Sequence, residues 1–363
     1  MRVLIAPDKF KGTLSAPSAA LAMSEGVRQV DAAVILSSAP VADGGAGTLD
    51  ALLDALGGER MFETTVDPWG ARLRTPIAVL ATGDVCIETA TSLVGDPMTA
   101  DSHGLGVLIE RAASLVQGGG RILVAIGGTA STDGGTGLAR ALGWRFLDGD
   151  GNEVPRGGAG LERIGRIEKP TERLEASVLG LCDVRAPLTG EAGSALSFGP
   201  QKGASPADVG ALERGLTNLT QVARAQLNVD LDKVDHAGAG GGIAAGLHAF
   251  LGAELRSGFD FISNAMRLRG LVESADFVIT GEGRFDAQSV AGKAPVGVAR
   301  VAHELGIPCL GVFGELGSPA KVALTAGFSD VLSLREALGA EPTGEPSALL
   351  TEATRLLLAR QPL

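Results

Sequence analysis

The residues best suited to chemistry lie in one short segment, Thr280–Pro295, with the sequence TGEGRFDAQSVAGKAP. It follows an apolar run, ADFVI, that predicts a buried strand. The segment combines two acids, Glu282 and Asp286, with two bases, Arg284 and Lys293. Carboxylates bind Mg²⁺, and Lys or Arg neutralises the oxygens of a phosphoryl group in transfer. The segment therefore predicts a magnesium site at Glu282 and Asp286 and anion contacts from Arg284 and Lys293; a surface salt-bridge network is the alternative.

This segment is not a P-loop, although Gly292-Lys293 resembles half of one. The P-loop pattern needs a Gly five places before its Gly-Lys pair and a hydroxyl after it, and this chain has Ala287 and Ala294 there. Gln288 and Ser289 add polar groups between the acids and Lys293. We expect both of them to contact a substrate.

Two N-terminal loops carry a similar mixture of acids and bases. Asp8, Lys9 and Lys11 follow the apolar run RVLIA, and Asp43 follows AAVILSSAP, ahead of Gly44 and Gly45. Ligands of doubly wound sheets bind beyond the carboxyl ends of the strands. These loops and the Thr280–Pro295 segment are therefore expected to meet at one sheet edge. Asp43 is a candidate base, although an acid before Gly is also an ordinary turn signature.

A glycine-rich loop, IGGTASTDGGTG, follows the apolar strand RILVA and precedes a helix. Backbone N–H groups at the start of a helix suit a phosphate or a carboxylate. We expect a nucleotide site at Gly127, Gly128, Thr129, Ser131 and Asp133; a flexible capped turn would have the same composition.

Two further segments leave their roles open. Asp183, in LCDVRAPLTG, follows a predicted strand and is a candidate general base or Mg²⁺ ligand, or a turn cap. The segment HAGAGGGIAAG has the wrong spacing for GxGxxG, since Ile243 or Ala245 stands at the sixth place. An NAD-dependent 2-hydroxy-acid dehydrogenase is therefore disfavoured, and close helix packing explains these glycines.

The composition excludes several classes of partner. The chain has 363 residues, 45% of them hydrophobic, a net charge of -11 and a pI near 5.0. The acidic balance and the 4% aromatic content argue against nucleic acid. The sequence shows no apolar stretch long enough to cross a membrane, no signal-peptide pattern and no CxxC or HExxH motif. We expect a soluble cytoplasmic protein that does not bind membranes.

Strand and helix patterns alternate at both ends of the chain, which predicts an α/β protein with a parallel sheet. The middle contains short, partly alternating segments, FETTVDPWG, LRTPIAVLA and DVCIETA, and a predicted hairpin at Asp150-Gly151. We therefore expect two domains. Residues 1–61 and 263–363 would form a discontinuous, doubly wound domain of Rossmann or flavodoxin type, and residues 62–262 an inserted α/β domain with a mixed or antiparallel sheet.

Six blocks, taken in order, resemble the bacterial glycerate kinases of the glycerate 2-kinase type: APDKFKGTLSA, PVADGGAGT, IGGTASTDGGTG, LCDVRAPLTG with FGPQKGA, AGAGGGIAAGL and TGEGRFDAQSVAGKAPVGVA. The resemblance covers nearly the whole chain and implies two α/β domains, one of them discontinuous, and phosphorylation of D-glycerate by ATP and Mg²⁺. This chain departs from the usual pattern at four positions, where Lys9, Ala46, Thr132 and Ala186 replace Ser, Glu, Asn and Asn.

The resemblance and the residue types together suggest a division of roles. Asp43 or Asp183 would take the proton of the substrate hydroxyl, and Lys11 and Arg284 would hold the substrate carboxylate or the phosphoryl group, beside Gly44 and Gly45. Lys293 and the glycine-rich loop would hold the nucleotide phosphates. A kinase for a related small hydroxy acid and a non-catalytic sensor of sugar acids are the other functions that fit these residues.

Overall fold

A computed structural model describes residues 1–89, 95–182, 184–290, 292–317, 320–339 and 343–361. The strands are β1 (Arg2–Ile5), β2 (Ile35–Ser38), β3 (Gly58–Val66), β4 (Arg72–Leu80), β5 (Val85–Glu88), β6 (Ile122–Ile126), β7 (Arg145–Leu147), β8 (Arg166–Glu168), β9 (Val178–Cys182), β10 (Glu254–Ser257), β11 (Phe277–Phe285), β12 (Cys309–Leu316) and β13 (Asp330–Ser333).

The helices are α1 (Ala16–Val30), α2 (Thr48–Leu56), α3 (His103–Ala113), α4 (Thr136–Ala141), α5 (Ser194–Phe198), α6 (Pro206–Leu227), α7 (Ala239–Leu251), α8 (Gly258–Ala265), α9 (Leu268–Glu273), α10 (Ala287–Val290), α11 (Ala294–Glu304), α12 (Ala320–Thr325), α13 (Leu334–Leu338) and α14 (Pro346–Leu358). Within the described ranges, no helix is both long enough and apolar enough to span a membrane.

The chain packs as two compact units. The first contains residues 1–43 and 259–363, and the second contains residues 44–258. The sequence placed domain boundaries after residues 61 and 262 instead. The two divisions differ because α2 and β3 pack with the second unit, where β3 pairs with β4 along its whole length. Whether residues 1–61 with 263–363, and residues 62–262, fold as independent domains stays a prediction.

The first unit contains a five-stranded parallel sheet in the order β2-β1-β11-β12-β13. The chain builds outward from β1 to β2 on one side and from β11 to β13 on the other. This is the doubly wound arrangement that the sequence predicted, with its switch point between β1 and β11. Ligands of doubly wound sheets typically bind beside such a switch point, at the carboxyl edge of the sheet.

Alternate residues of the central strands enter two separate cores, one on each face of this sheet. Leu4 and Val278 pack with α9 and α11, whereas Ile5 and Ile279 pack with α1 and α14. Because helices cover both faces of the sheet, its strands are short continuous apolar runs, as expected for a parallel sheet. Helix α1 is capped by Ser15, whose hydroxyl accepts a hydrogen bond from the Ser18 amide at 3.2 Å.

The second unit contains a mixed six-stranded sheet in the order β10-β9-β6-β5-β4-β3. Strands β10, β9, β6 and β5 are parallel, and β4 and β3 join antiparallel at the edge. The predicted turn at Asp150-Gly151 forms. The carboxylate of Asp148 accepts hydrogen bonds from the amides of Asp150 and Asn152. The predicted hairpin was wrong in its second strand, because β7 pairs with β8 and only one bridge joins Leu147 to Glu153.

Candidate active site

The polar residues of the first unit gather at the switch point of its sheet. The Asp8 amide, just after β1, donates to the Gly281 carbonyl of β11 at 2.9 Å. Asp43 follows β2, the other neighbour of β1. The apolar run that predicted this strand ends at Ile279, but strand β11 continues to Phe285 because β12 pairs with it as far as Leu316. Glu282 and Arg284 are therefore held on a strand and not on a loop.

Lys9 bridges two buried carboxylates. Its Nζ lies 3.6 Å from Asp8 Oδ1 and 3.7 Å from Asp43 Oδ1. Asp8 and Asp43 are only 3% and 6% exposed, whereas the Lys9 side chain is 27% exposed. The backbone amide of Lys9 also donates to Asp8 Oδ1 at 2.6 Å. One half-buried ammonium group therefore forms ion pairs with two carboxylates that are almost fully buried.

Burial raises the pKa of Asp8 to about 7, and the negative charges of Asp43 and Glu282 act in the same direction. The Lys9 ammonium and its backbone amide oppose this shift of the pKa but do not cancel it. A carboxyl group with such a pKa exchanges its proton near neutral pH, which is a common property of groups that act as acids or bases in catalysis.

Glu282 is a third buried carboxylate in this group, at 5% exposure. Its Oε2 lies 3.3 Å from Lys293 Nζ, while its Oε1 is buried and has no hydrogen-bond partner among the described residues. Burial raises the pKa of Glu282, and Lys293 and the side chain of Ser289 partly offset this effect. A buried carboxylate oxygen without a donor carries a desolvation cost that a bound water, ion or ligand would reduce.

The unpartnered oxygen of Glu282 fits a magnesium ion or a substrate hydroxyl. Mg²⁺ is bound in phosphoryl-transfer sites by one or two carboxylates, with water and phosphate oxygens completing its shell. Within the described ranges, no group of three or more His, Cys, Asp and Glu side chains is arranged to hold a metal ion.

Arg284 and Asp286 lie beside this cluster on a more open surface. Arg284 Nε is 3.7 Å from Asp286 Oδ2 and its Nη1 is 3.5 Å from Glu315 Oε2, with the Arg284 side chain 63% exposed. Asp286 Oδ1 accepts from the Ser289 amide at 3.3 Å, and the Ser289 hydroxyl accepts from the Asp286 amide at 3.1 Å. These reciprocal bonds fix the turn that joins β11 to α10.

Four further residues were predicted to belong to the site: Lys11, Ser289, Asp183 and Gln288. Lys11 is exposed, and its backbone packs against Gly283 of β11. Ser289 is fully buried, so we assign it a role in shaping the turn instead of the predicted substrate contact. Asp183 and the side chain of Gln288 lie outside the described residues.

The glycine-rich loop of the second unit follows β6. The Thr89 hydroxyl bonds both the amide and the carbonyl of Gly127, at 3.1 and 3.2 Å. Gly128 is exposed and has a φ of 73°, which favours glycine. The hydroxyls of Thr129 and Ser131 are 3.1 Å apart and buried. The predicted nucleotide loop is thus a folded turn in which Gly128 is exposed and the hydroxyls of Thr129 and Ser131 are buried.

Lys202 places a positive charge against this loop. The residue is 5% exposed, and its Nζ donates to the Ser131 carbonyl at 2.6 Å and to Thr132 Oγ1 at 3.4 Å. A side chain at Gly241, whose φ is 70°, would come within 2.0 Å of the Ser131 carbonyl and 2.9 Å of Lys202 Nζ. Glycine at position 241 therefore lets the two loops close around the ammonium group.

The carboxylate of Asp133 stabilises the loop through buried hydrogen bonds. Its Oδ2 accepts from the Ser102 amide and hydroxyl, both at 2.8 Å, and from the Gly137 amide at 3.0 Å, and its Oδ1 accepts from the Gly135 amide at 3.1 Å. It is 0% exposed. These bonds join the starts of α3 and α4, so we assign Asp133 a positioning role instead of the predicted nucleotide contact.

Gly44 and Gly45 begin the second unit, and both are buried. A side chain at Gly44, whose φ is 99°, would come within 2.8 Å of the Leu181 carbonyl. Packing against the backbone therefore already explains glycine at position 44. Beyond it, Glu88 Oε1 accepts from the amides of Gly47 and Leu49 at the start of α2.

Comparison with known proteins gives a consistent result. Residues 3–358 match the glycerate kinase family. The chain belongs to this family. It is 37% identical to the glycerate 2-kinase of Escherichia coli K12, over 93% of this chain and 92% of that protein. It is 36% identical to the glycerate kinase of Halalkalibacterium halodurans, over 92% and 90% of the two chains.

The structural comparison agrees with the sequence matches. A solved structure described under the name glycerate kinase 2, from Salmonella typhimurium LT2, superimposes with a TM-score of 0.77 at 34% identity. It covers 99% of this chain, which covers 97% of that one. The resemblance to glycerate kinases that the six sequence blocks indicated is therefore confirmed.

For this member of the glycerate kinase family, the structure brings Asp43, Glu282 and Lys293 together with two residues that were not assigned roles from the sequence, Asp8 and Lys9. The position of Asp8 after a buried strand was a visible signal. The bridging position of Lys9 was not visible, because it depends on the packing of β2 beside β1.

Proposed function

We propose that this chain is an ATP-dependent kinase that uses Mg²⁺ to phosphorylate D-glycerate, with 2-phospho-D-glycerate as the product. The main support is the group of three buried carboxylates and two lysines at the sheet's switch point, in a chain that belongs to the glycerate kinase family. The relative from Escherichia coli named glycerate 2-kinase supports the position of phosphorylation. A cytoplasmic location is part of the same proposal.

The substrate hydroxyl needs a group that takes its proton as its oxygen attacks the γ-phosphorus in line. Asp43 is the proposed base, and the structure adds Asp8 as a second candidate because its pKa lies near 7. Lys9 contacts both carboxylates, so it keeps them at a fixed separation and balances part of their charge. Asp183 stays the third candidate from the sequence.

The substrate carboxylate and the moving phosphoryl group need positive charge. We assign the carboxylate to Arg284 and Lys11, because both side chains are exposed enough to reach a ligand. Arg284 can exchange its long contacts with Asp286 and Glu315 for a bidentate pair with a carboxylate. Lys293 is assigned to a phosphate oxygen, which would lie beside Glu282.

Glu282 is assigned to Mg²⁺ through its unpartnered Oε1, and Asp286 is assigned as the second ligand. When bound, the ion would offset charge on the phosphate oxygens. The nucleotide phosphates are assigned to Gly127, Gly128, Thr129 and Ser131, where Lys202 supplies a nearby positive charge. Positioning and charge neutralisation provide most of the rate enhancement in reactions of this type.

The proposal can be tested by following ADP release from ATP in the presence of Mg²⁺ and D-glycerate. We expect turnover with D-glycerate and a fall in kcat of at least about a hundredfold in Glu282→Gln and in Asp43→Asn. The matched controls are Glu304→Gln and Asp276→Asn, which change exposed acids that pair with Arg269 and Arg2. Both controls should keep wild-type kcat.

Three other results would each replace the proposal. Faster turnover with another small hydroxy acid would indicate a related kinase. Binding of D-glycerate without ADP release would indicate a sensor, and reduction of NAD by glycerate would indicate a dehydrogenase. Wild-type turnover in Glu282→Gln and Asp43→Asn would show that the switch-point cluster is not the site of reaction.

A further inference from the structure

Strand β3 forms one edge of the six-stranded sheet in the second unit, and within the described part of the chain β4 is its only neighbour. It pairs with β4 without interruption over nine residues, from Gly58 opposite Leu80 to Val66 opposite Arg72. Edge strands are usually short, bulged or broken by proline, because a long regular edge pairs readily with another chain. The sequence of β3, GERMFETTV, contains no proline. Strand β3 is therefore suited to bind a further strand.

The backbone groups of β3 that face away from β4 follow from the two ends of the pairing. The Asp67 amide donates to the Ala71 carbonyl at 2.8 Å, just beyond one end. The Ala81 amide donates to the Gly57 carbonyl at 3.0 Å, just beyond the other. Bonded positions alternate in an antiparallel pair, so the odd-numbered residues of β3 bond to β4 and the even-numbered residues direct N–H and C=O outward.

Helix α3 limits the open part of this edge. A side chain at Gly104 would come within 2.0 Å of the Val66 carbonyl, and the Thr65 hydroxyl donates to the Gly104 carbonyl at 2.6 Å. Before this point the outward residues are exposed, and among the described residues no partner is found for their backbone groups. These exposed residues are Gly58, Arg60, Phe62 and Thr64.

The side chains of β3 select one register for two antiparallel copies of this strand related by a two-fold axis. When Phe62 lies opposite Phe62 of the second copy, Arg60 lies opposite Thr64 and no like charges face each other. The outward groups recur every second residue, so the neighbouring registers differ by two. One of them places Glu59 opposite Glu63, and the other places Glu63 opposite itself. Like charges directly opposite each other destabilise a sheet.

We propose that β3 is an interface between two copies of this chain, which pair antiparallel with Phe62 at the two-fold axis and so join their two six-stranded sheets into one. The backbone groups of Arg60, Phe62 and Thr64 would bond across this interface. Phe62 is 51% exposed in one copy and would be covered by its counterpart, which adds a favourable contact between the rings. This interface is independent of the proposed kinase reaction, which uses other residues.

Sedimentation velocity with matched substitutions tests the interface. Wild type should sediment as a particle of twice the 36.7 kDa mass of one chain. Phe62→Lys places two ammonium groups opposite each other and should raise the dissociation constant of the dimer at least about tenfold. Leu21→Lys is the control, because Leu21 is 73% exposed and lies on α1 of the first unit. It should keep the wild-type dissociation constant.

Far-UV circular dichroism shows whether each variant is folded. If Phe62→Lys does not fold, Thr64→Lys replaces it, since its ammonium group would lie opposite Arg60 and should also weaken the dimer. A monomeric wild type would overturn the inference and leave this edge to a strand of a different protein. An unchanged dissociation constant in the folded variant would overturn it as well, because a dimer would then form through another surface.

Disulfide trapping tests the register. Bonded residues opposite each other in antiparallel strands have Cα atoms about 5.5 Å apart, within the range of a disulfide. Phe62→Cys should therefore form a covalent dimer when treated with oxidised glutathione. Thr64→Cys should not, because its two copies would lie about 13 Å apart along the strands. The native Cys86, Cys182 and Cys309 are buried, so wild type should give no covalent dimer. Equal trapping of both variants, or no trapping of Phe62→Cys, would refute the proposed pairing.

Discussion

Replacing Asp8 with Asn keeps the size of the side chain and removes its charge. The wild-type carboxyl group is 3% exposed, and burial raises its pKa from 3.8 to about 7. The folded protein therefore holds this proton more tightly than the unfolded chain. The stability that the protonated group contributes is fully present below pH 3.8 and is lost as the pH rises through about 7.

The size of the effect follows from the two pKa values. One pKa unit corresponds to about 1.4 kcal/mol, so the full shift costs the ionised wild type about 4 kcal/mol at high pH. Part of this cost is already present at pH 5, where Asp8 is ionised in the unfolded chain. Asn has no proton to lose. We expect the stability of Asp8→Asn relative to wild type to increase by about 2 to 3 kcal/mol between about pH 5 and about pH 8.

Chemical denaturation of both proteins at the two pH values, followed by far-UV circular dichroism, measures this difference. Asp276→Asn is a control of the opposite kind, because Asp276 is exposed and bonds to Arg2 lower its pKa. The difference in the free energy of unfolding between Asp276→Asn and wild type should stay constant over this pH range. A difference for Asp8→Asn that also stays constant, or that shrinks with pH, would refute the raised pKa. If Asp8 is the base, wild-type kcat should also fall below about pH 7.

Two further substitutions test how residues around the site are used. Asp133→Ala removes the acceptor of four buried hydrogen bonds and should lower the free energy of unfolding by about 3 kcal/mol or more, measured by denaturation. Asp31→Ala, at an exposed turn, is its control, and an equally small loss in both would contradict the positioning role. Asp286→Ala should abolish turnover while D-glycerate binding, measured by calorimetry, stays within a few-fold. Unchanged kinase activity in Asp286→Ala would remove this residue from the mechanism.

The arrangement of the strands was predictable because each central strand of the first unit is a short apolar run followed by a polar turn. Asp43 and Glu282 could be placed at one edge from this pattern alone, since parallel strands end at a common edge. The end of β11 could not be predicted. Gly281 and Gly283 look like loop residues, but pairing with β12 from Val278 through Phe285 keeps this segment extended.

The roles of individual polar residues were harder to predict than their positions. Asp133 and Ser131 lie two positions apart in one loop. The Asp133 carboxylate, however, already accepts four hydrogen bonds from within the protein. The bridge that Lys9 forms between Asp8 and Asp43, and the contact of Lys202 with Ser131, join distant parts of the sequence. Such pairings depend on three-dimensional packing and leave no local pattern.

The most direct test of the switch-point cluster as the site of phosphorylation is ³¹P NMR of the product formed from ATP, Mg²⁺ and D-glycerate. Phosphate on C2 couples to a single carbon-bound proton, so wild type should give a doublet, and Asp43→Asn should form this product at least about a hundredfold more slowly. A triplet would place the phosphate on C3. Formation of the same doublet by Asp43→Asn and Glu282→Gln at the wild-type rate would contradict the cluster's role.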